Sequence, residues 1–114
     1  MMNIQIFGTN KSFDTKKAMR YFKECGIKYQ FVDMKEKGLS KGEYLKVKQA
    51  VGGRDEMLDP DCKDKDALAL VRCLAEEDRD AKILECQQVL KVPIVRNGQQ
   101  ATIGYKPEVW KDWK

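Results

Sequence analysis

Apolar and polar positions alternate along the start of the chain and then change period. In "NIQIFG" Ile4 and Ile6 stand against Gln5, and the run stops at Gly8, as in a half-buried strand that ends in a glycine turn. From Asp14 to about Cys25 the apolar residues Ala18, Phe22 and Cys25 recur at i, i+4 and i+7, with lysines and Arg20 elsewhere around the helix, and Gly26 supplies the stop. A second strand follows in "KYQFVDM", with Tyr29, Phe31 and Asp33 on one face and Gln30, Val32 and Met34 on the other. The pattern alone does not say which face is inner.

Ser40 and Glu43 have capping-box spacing, and Tyr44, Val47 and Val51 continue as a helical stripe until Gly52-Gly53. "DEMLDPDCKD" reads as a turn around Pro60. A further helix carries Ala67, Leu70, Val71 and Leu74, the charged run "EEDRD" breaks it, and Ile83, Cys86 and Leu90 lie on the next. "VPIVRNGQQATIGY" then holds two apolar runs around an Asn97-Gly98 dipeptide, which predicts a hairpin with strands near Pro93–Arg96 and Gln100–Ile103. Pro107 opens a last helix as its first residue, with Val109, Trp110 and Trp113 as apolar contacts. The order is strand, helix, strand, several helices, hairpin, helix. It predicts an α/β, thioredoxin-like plan, a mixed four-stranded sheet flanked by helices, with a helical insertion at about 39–90.

Composition narrows the chemistry. A chain of 114 residues is expected to form one domain, 1–114. Lysine and arginine number 22 against 18 acidic residues, a net charge of +4 with no long single-sign block, so nucleic acid is not expected as a partner. No membrane partner is expected either, and a monomer is the expectation. No apolar run approaches the roughly 20 residues of a bilayer span. "MMNIQIFG" lacks the basic and apolar regions of a secretory signal, which makes cytoplasmic location the expectation. Histidine is absent, which removes Ser-His-Asp and Cys-His mechanisms together. Cys25, Cys62, Cys73 and Cys86 form no C-x-x-C pair, so no metal site is expected. Cys25 and Cys86 lie on apolar stripes and are expected to be buried, whereas Cys62 in a polar turn is expected to be exposed; the pattern does not decide Cys73.

Two segments carry a family resemblance. "IFGTNKSFDTKKA" resembles the active loop and first helix of the bacterial arsenate reductase (ArsC) and Spx family, and "VPIVRNGQQATIGYKPEVW" is similar to that family's closing segment. The resemblance implies a glutaredoxin-like domain and, in active members, one nucleophilic cysteine at the start of the first helix. It places Ser12 at that cysteine position, with Lys11, Phe13, Asp14, Thr15, Val92 and Pro93 as substrate- or anion-binding candidates. It also implies a cis peptide bond at Pro93 facing the active loop. This chain departs twice from the pattern: serine replaces the cysteine, and Val92 stands where arsenate reductases place an arginine before the proline.

A thiol at a helix N-terminus can fall from a pKa of about 8.5 to roughly 3.5–7.5, whereas serine there stays an alcohol and cannot form a disulfide. The expectation is therefore an arsenate-reductase-like thiol oxidoreductase frame that is redox-inactive, with Ser12 or Asp14 capping the helix. A non-catalytic Spx-like module docking a redox protein or RNA polymerase, and a small-anion or glutathione-binding protein, are the alternatives. The resemblance implies glutathione or a thioredoxin-type reductant only for a form with cysteine at position 12, and otherwise no cofactor.

Overall fold

The computed structural model of the chain describes residues 4–113. Asn3, which opens the first expected strand, lies outside the described residues. The element order is β1 (Ile4–Gly8), α1 (Phe13–Glu24), β2 (Tyr29–Asp33), α2 (Lys41–Val51), a 3₁₀ turn, α3 (Lys65–Cys73), α4 (Glu76–Glu85), a second 3₁₀ turn, β3 (Ile94–Asn97), β4 (Gln100–Ile103) and α5 (Pro107–Trp110). The four strands form one sheet in the order β2-β1-β3-β4. β1 pairs with β2 in parallel and with β3 antiparallel, and β3 pairs antiparallel with β4. The sheet is the mixed, thioredoxin-like one that the element order predicts.

Alternation along the central strands divides the core in two. Ile4 and Ile6 of β1 and Val95 of β3 pack with Ala18, Phe22, Trp110 and Trp113, which sets α1 and α5 on one face. Phe7 and Ile94 point the other way, into the larger cluster built with Tyr44, Val47, Met57, Val71 and Ile83 from the insertion. β2 settles its open question by serving both sides: Val32 joins the insertion cluster and Tyr29 packs against the α1 side. The indole of Trp110 is buried with its Nε1–H donating to Thr102 Oγ1 at 2.8 Å, so a large apolar side chain is accommodated without an orphaned donor.

Local chemistry explains most boundaries. Ser40 and Glu43 form the reciprocal capping box of α2, and Gly52 closes that helix in the left-handed region at φ 92. In the hairpin Asn97 pairs with Gln100, so the two loop residues are Gly98 and Gln99, one position beyond the expected dipeptide. Gly98, with φ 62, holds the first central position, where a two-residue loop of the II′ kind takes glycine.

Three local expectations are corrected. "EEDRD" is no break: Glu76, Glu77 and Asp78 form the first turn of α4, where carboxylates complement the helix dipole, and the chain turns earlier, at Leu74 and Ala75. α4 ends before Cys86, and Gln87–Val89 form a 3₁₀ turn. On α3 the buried residues are Leu68 and Val71, while Leu70 is exposed, because the helix packs along a stripe rotated from the expected one.

Candidate functional site

The turn after β1 delivers Ser12 to the cap of α1. Ser12 N–H donates to Thr9 O at 3.2 Å, and Ser12 Oγ accepts the Thr15 N–H at 3.2 Å, with Ser12 in extended geometry at φ −83 and ψ 122. Of the two capping candidates, Ser12 is the cap; Asp14 lies in the first turn. Such a cap contributes about 1 kcal/mol.

Gly8 has a role that the strand-to-turn reading missed. It lies within β1, paired with Asp33, and its φ is not in the left-handed region. Its missing side chain makes room for Thr15: a Cβ at position 8 would overlap Thr15 Oγ1 and Cγ2. Thr15 is fully buried there, and its hydroxyl has no hydrogen-bond partner among the described residues.

From the other side, the insertion fixes the segment that leads to β3. Asp59 N–H donates to Val89 O at 2.9 Å and Lys91 N–H to Met57 O at 2.8 Å, around a bridge between Leu58 and Leu90. The Val92-Pro93 peptide is cis, as expected. Beyond it, Pro93 O accepts the Gly104 N–H at 2.8 Å. The Val92 amide and carbonyl have no partner among the described residues.

Ser12 and Val92 line one open cleft of about 970 Å³. Of the candidates read from the sequence, Lys11, Ser12, Asp14 and Val92 line it, whereas Phe13, Thr15 and Pro93 do not: Phe13 points into solvent, and Thr15 and Pro93 are buried. The remaining wall comes from the β2–α2 loop and the insertion, which no local sequence signal ties to position 12. Its cations are all lysines, Lys35, Lys37, Lys63 and Lys91 beside Lys11. Asp59, Asp61, Asp64 and Glu85, with Asp14, balance them. Asp64, which caps α3, is held below the usual carboxylate range by hydrogen bonds from the Gln88 side chain and the Ala67 N–H.

The cysteines depart from expectation in three places. Cys62 is buried at 5% exposure, its S–H set against Gln88 O at 3.2 Å, because the turn folds inward against the second 3₁₀ turn. Cys25 is exposed, since it follows the end of α1 at the C-cap and leaves the buried stripe of Ala18 and Phe22. Cys86 is half-buried, beyond the end of α4, and Cys73 is exposed. Among the described residues no group of three or more His, Cys, Asp or Glu side chains could hold a metal ion, and no helix is long and apolar enough to cross a membrane.

No protein-family model and no curated protein matches the chain. Solved structures do match it, over nearly the whole length of both partners. A Yersinia pestis protein provisionally named an arsenate reductase superposes with a TM-score of 0.82 at 18% identity, over 96% of this chain and 99% of that one. A Bacteroides fragilis protein described as ArsC-family related gives 0.80 at 18% identity, over 99% and 98%. The arsenate reductase from Vibrio cholerae gives 0.76 at 24% identity, over 95% and 94%. The chain thus has the ArsC-like form of the thioredoxin-like fold.

Proposed function

We propose that this chain is a redox-inactive protein on a thiol-oxidoreductase frame, one that works by binding at the cleft between Ser12 and Val92 and not by passing electrons. The observation that carries this reading is the hydroxyl at the head of α1: Ser12 Oγ sits at the helix cap, 3.2 Å from the Thr15 N–H. A thiol in that field ionises near neutral pH, whereas an alcohol stays protonated and cannot enter disulfide exchange. Cys62, the cysteine that lines the cleft, offers no substitute, because its sulfur is buried against a main-chain carbonyl. Arsenate reduction is disfavoured on a second ground. The lining cations are lysines, which hold an oxyanion as point charges without the planar two-pronged grip of a guanidinium.

Among ligands, an extended peptide suits the cleft better than a small anion or glutathione. The Val92 amide and carbonyl, without a partner among the described residues, offer main-chain pairing. Five carboxylates balance the five lysines of the lining, which leaves no net attraction for a free anion. These features favour a protein-binding, Spx-like role.

The test is turnover by the wild-type chain. With NADPH and either the thioredoxin or the glutathione–glutaredoxin system, and with arsenate or a small disulfide as substrate, NADPH oxidation is expected to stay at the rate seen without the chain. Sustained turnover overturns the reading.

A further inference from the structure

We infer that the outer face of α1, at its Ser12 end, is a docking surface for an acidic segment of a partner protein that carries an apolar side chain. Phe13 anchors that side chain, and Lys16 and Lys17 meet its carboxylates. The inference rests on the reading of the chain as a binding protein and names the class of partner.

Phe13 is 78% exposed, more than any other large apolar side chain of the described residues. Its ring is not bare: Lys16 Nζ lies 5.9 Å from the centroid. Lys17 Nζ lies 5.8 Å from the ring of Tyr105, which is 39% exposed and rests edge-on against the buried Trp110 at 5.5 Å. Phe13, Lys16 and Lys17 stand at i, i+3 and i+4 and so share one helix face. The patch therefore runs from Phe13 across two ammonium groups to Tyr105, on a rigid base.

Charge selects the occupant. Between residues 11 and 20 the cations Lys11, Lys16, Lys17 and Arg20 face a single carboxylate, Asp14. None of the four is in an ion pair among the described residues. In the insertion, by contrast, Lys48, Arg54, Arg79 and Lys82 are each paired with a carboxylate. Exposed aromatic rings are characteristic of an interface centre, and the unpaired cations around them complement an acidic partner. A nucleic acid fits less well, because the charges of the chain alternate and form no long basic block for a phosphate chain to follow, whereas a peptide can place carboxylates at the lysines alone.

Panning a random phage-displayed peptide library against the whole chain tests the surface, with recovered peptides measured by fluorescence anisotropy beside an oligothymidylate. The expected peptides carry Asp or Glu around an aromatic residue or leucine. They should bind about tenfold more weakly to Phe13→Ser, and to the double variant Lys16→Glu/Lys17→Glu, than to the wild type. Circular dichroism of both variants should match the wild type, since all three side chains are exposed. Recovery of no peptides, peptides without acidic bias, affinities unchanged in both variants, or tighter Phe13-dependent binding of the oligothymidylate would each overturn it. Peptides that bind regardless of Phe13 leave the binding role standing and remove this surface; redox turnover by the wild type removes the binding role and leaves the peptide result readable.

Discussion

Gln87 pairs with the main chain of Leu39 as a neighbouring strand would. Its side-chain carbonyl accepts the Leu39 N–H at 2.8 Å, and its amide donates to the Leu39 carbonyl at 2.8 Å. Gly38, at φ 69, lets the loop come this close, and a Cβ there would overlap the Gln87 carboxamide. Gly38 and Gln87 both line the cleft, so one side chain joins two separate stretches of its wall.

Removal of that bridge strands two main-chain groups of a buried residue. Gln87→Ala is expected to lower stability by about 1–3 kcal/mol in denaturant unfolding. Gln87→Glu sets a carboxylate oxygen against the Leu39 and Leu84 carbonyls and should cost at least as much at neutral pH. A Gln87→Ala protein as stable as the wild type would show that the bridge contributes nothing net.

Asp80 joins α4 to α2. It accepts the Tyr44 hydroxyl at 2.7 Å and pairs with Lys48 at 2.7 Å, and Arg54 bonds Glu76 and approaches Asp80 at 3.6 Å. Burial raises the Asp80 pKa, but the hydrogen bonds from Lys48 and Tyr44 outweigh it and hold the carboxyl below its ordinary value. Burial, and then the bond to Asp80, push the Tyr44 hydroxyl well above its own. With a folded pKa below the unfolded value of about 3.9, Asp80 stabilises the fold fully above that value. The contribution is lost as pH falls through the lowered folded value. Asp80→Asn should therefore cost about 1–3 kcal/mol at neutral pH. Denaturation curves of wild type and variant should converge once the pH has fallen through that lowered folded value; a gap that persists there contradicts the assignment.

Thr15 carries a hydroxyl that is buried and without a partner among the described residues, while its N–H is held by Ser12. Thr15→Val keeps the shape and the cap and removes the orphaned group. Stability is expected to rise by about 1 kcal/mol in thermal unfolding. A fall of the same size would mean that the hydroxyl has a partner.

What could be read in the sequence follows the range of the interactions involved. The α2 capping box and the left-handed Gly52 are contained within one helix and its flanks, so adjacent residues reveal them. The four strands and the thioredoxin-like order were legible for the same reason: period and punctuation are local. The cap of α1 was legible only as far as Ser12 or Asp14, and the structure makes it Ser12. Long-range packing was not. Gly8 reads as a turn glycine and is instead required by Thr15, seven positions along and across the strand–helix contact. Cys62 sits in a polar run and is buried by contacts to Gln88, 26 residues away. The lysines and carboxylates of the cleft wall come from segments that only the sheet topology brings together.

We propose that the head of α1 is built to hold a thiolate and carries an alcohol in its place. Ser12→Cys tests it most directly, with the thiol pKa and the alkylation rate of each cysteine read across pH. Cys at position 12 is expected to titrate well below the free value of about 8.5 and to react fastest of the thiols at neutral pH. A thiol there that titrates as free cysteine, and reacts no faster than the exposed Cys25 and Cys73, would contradict it.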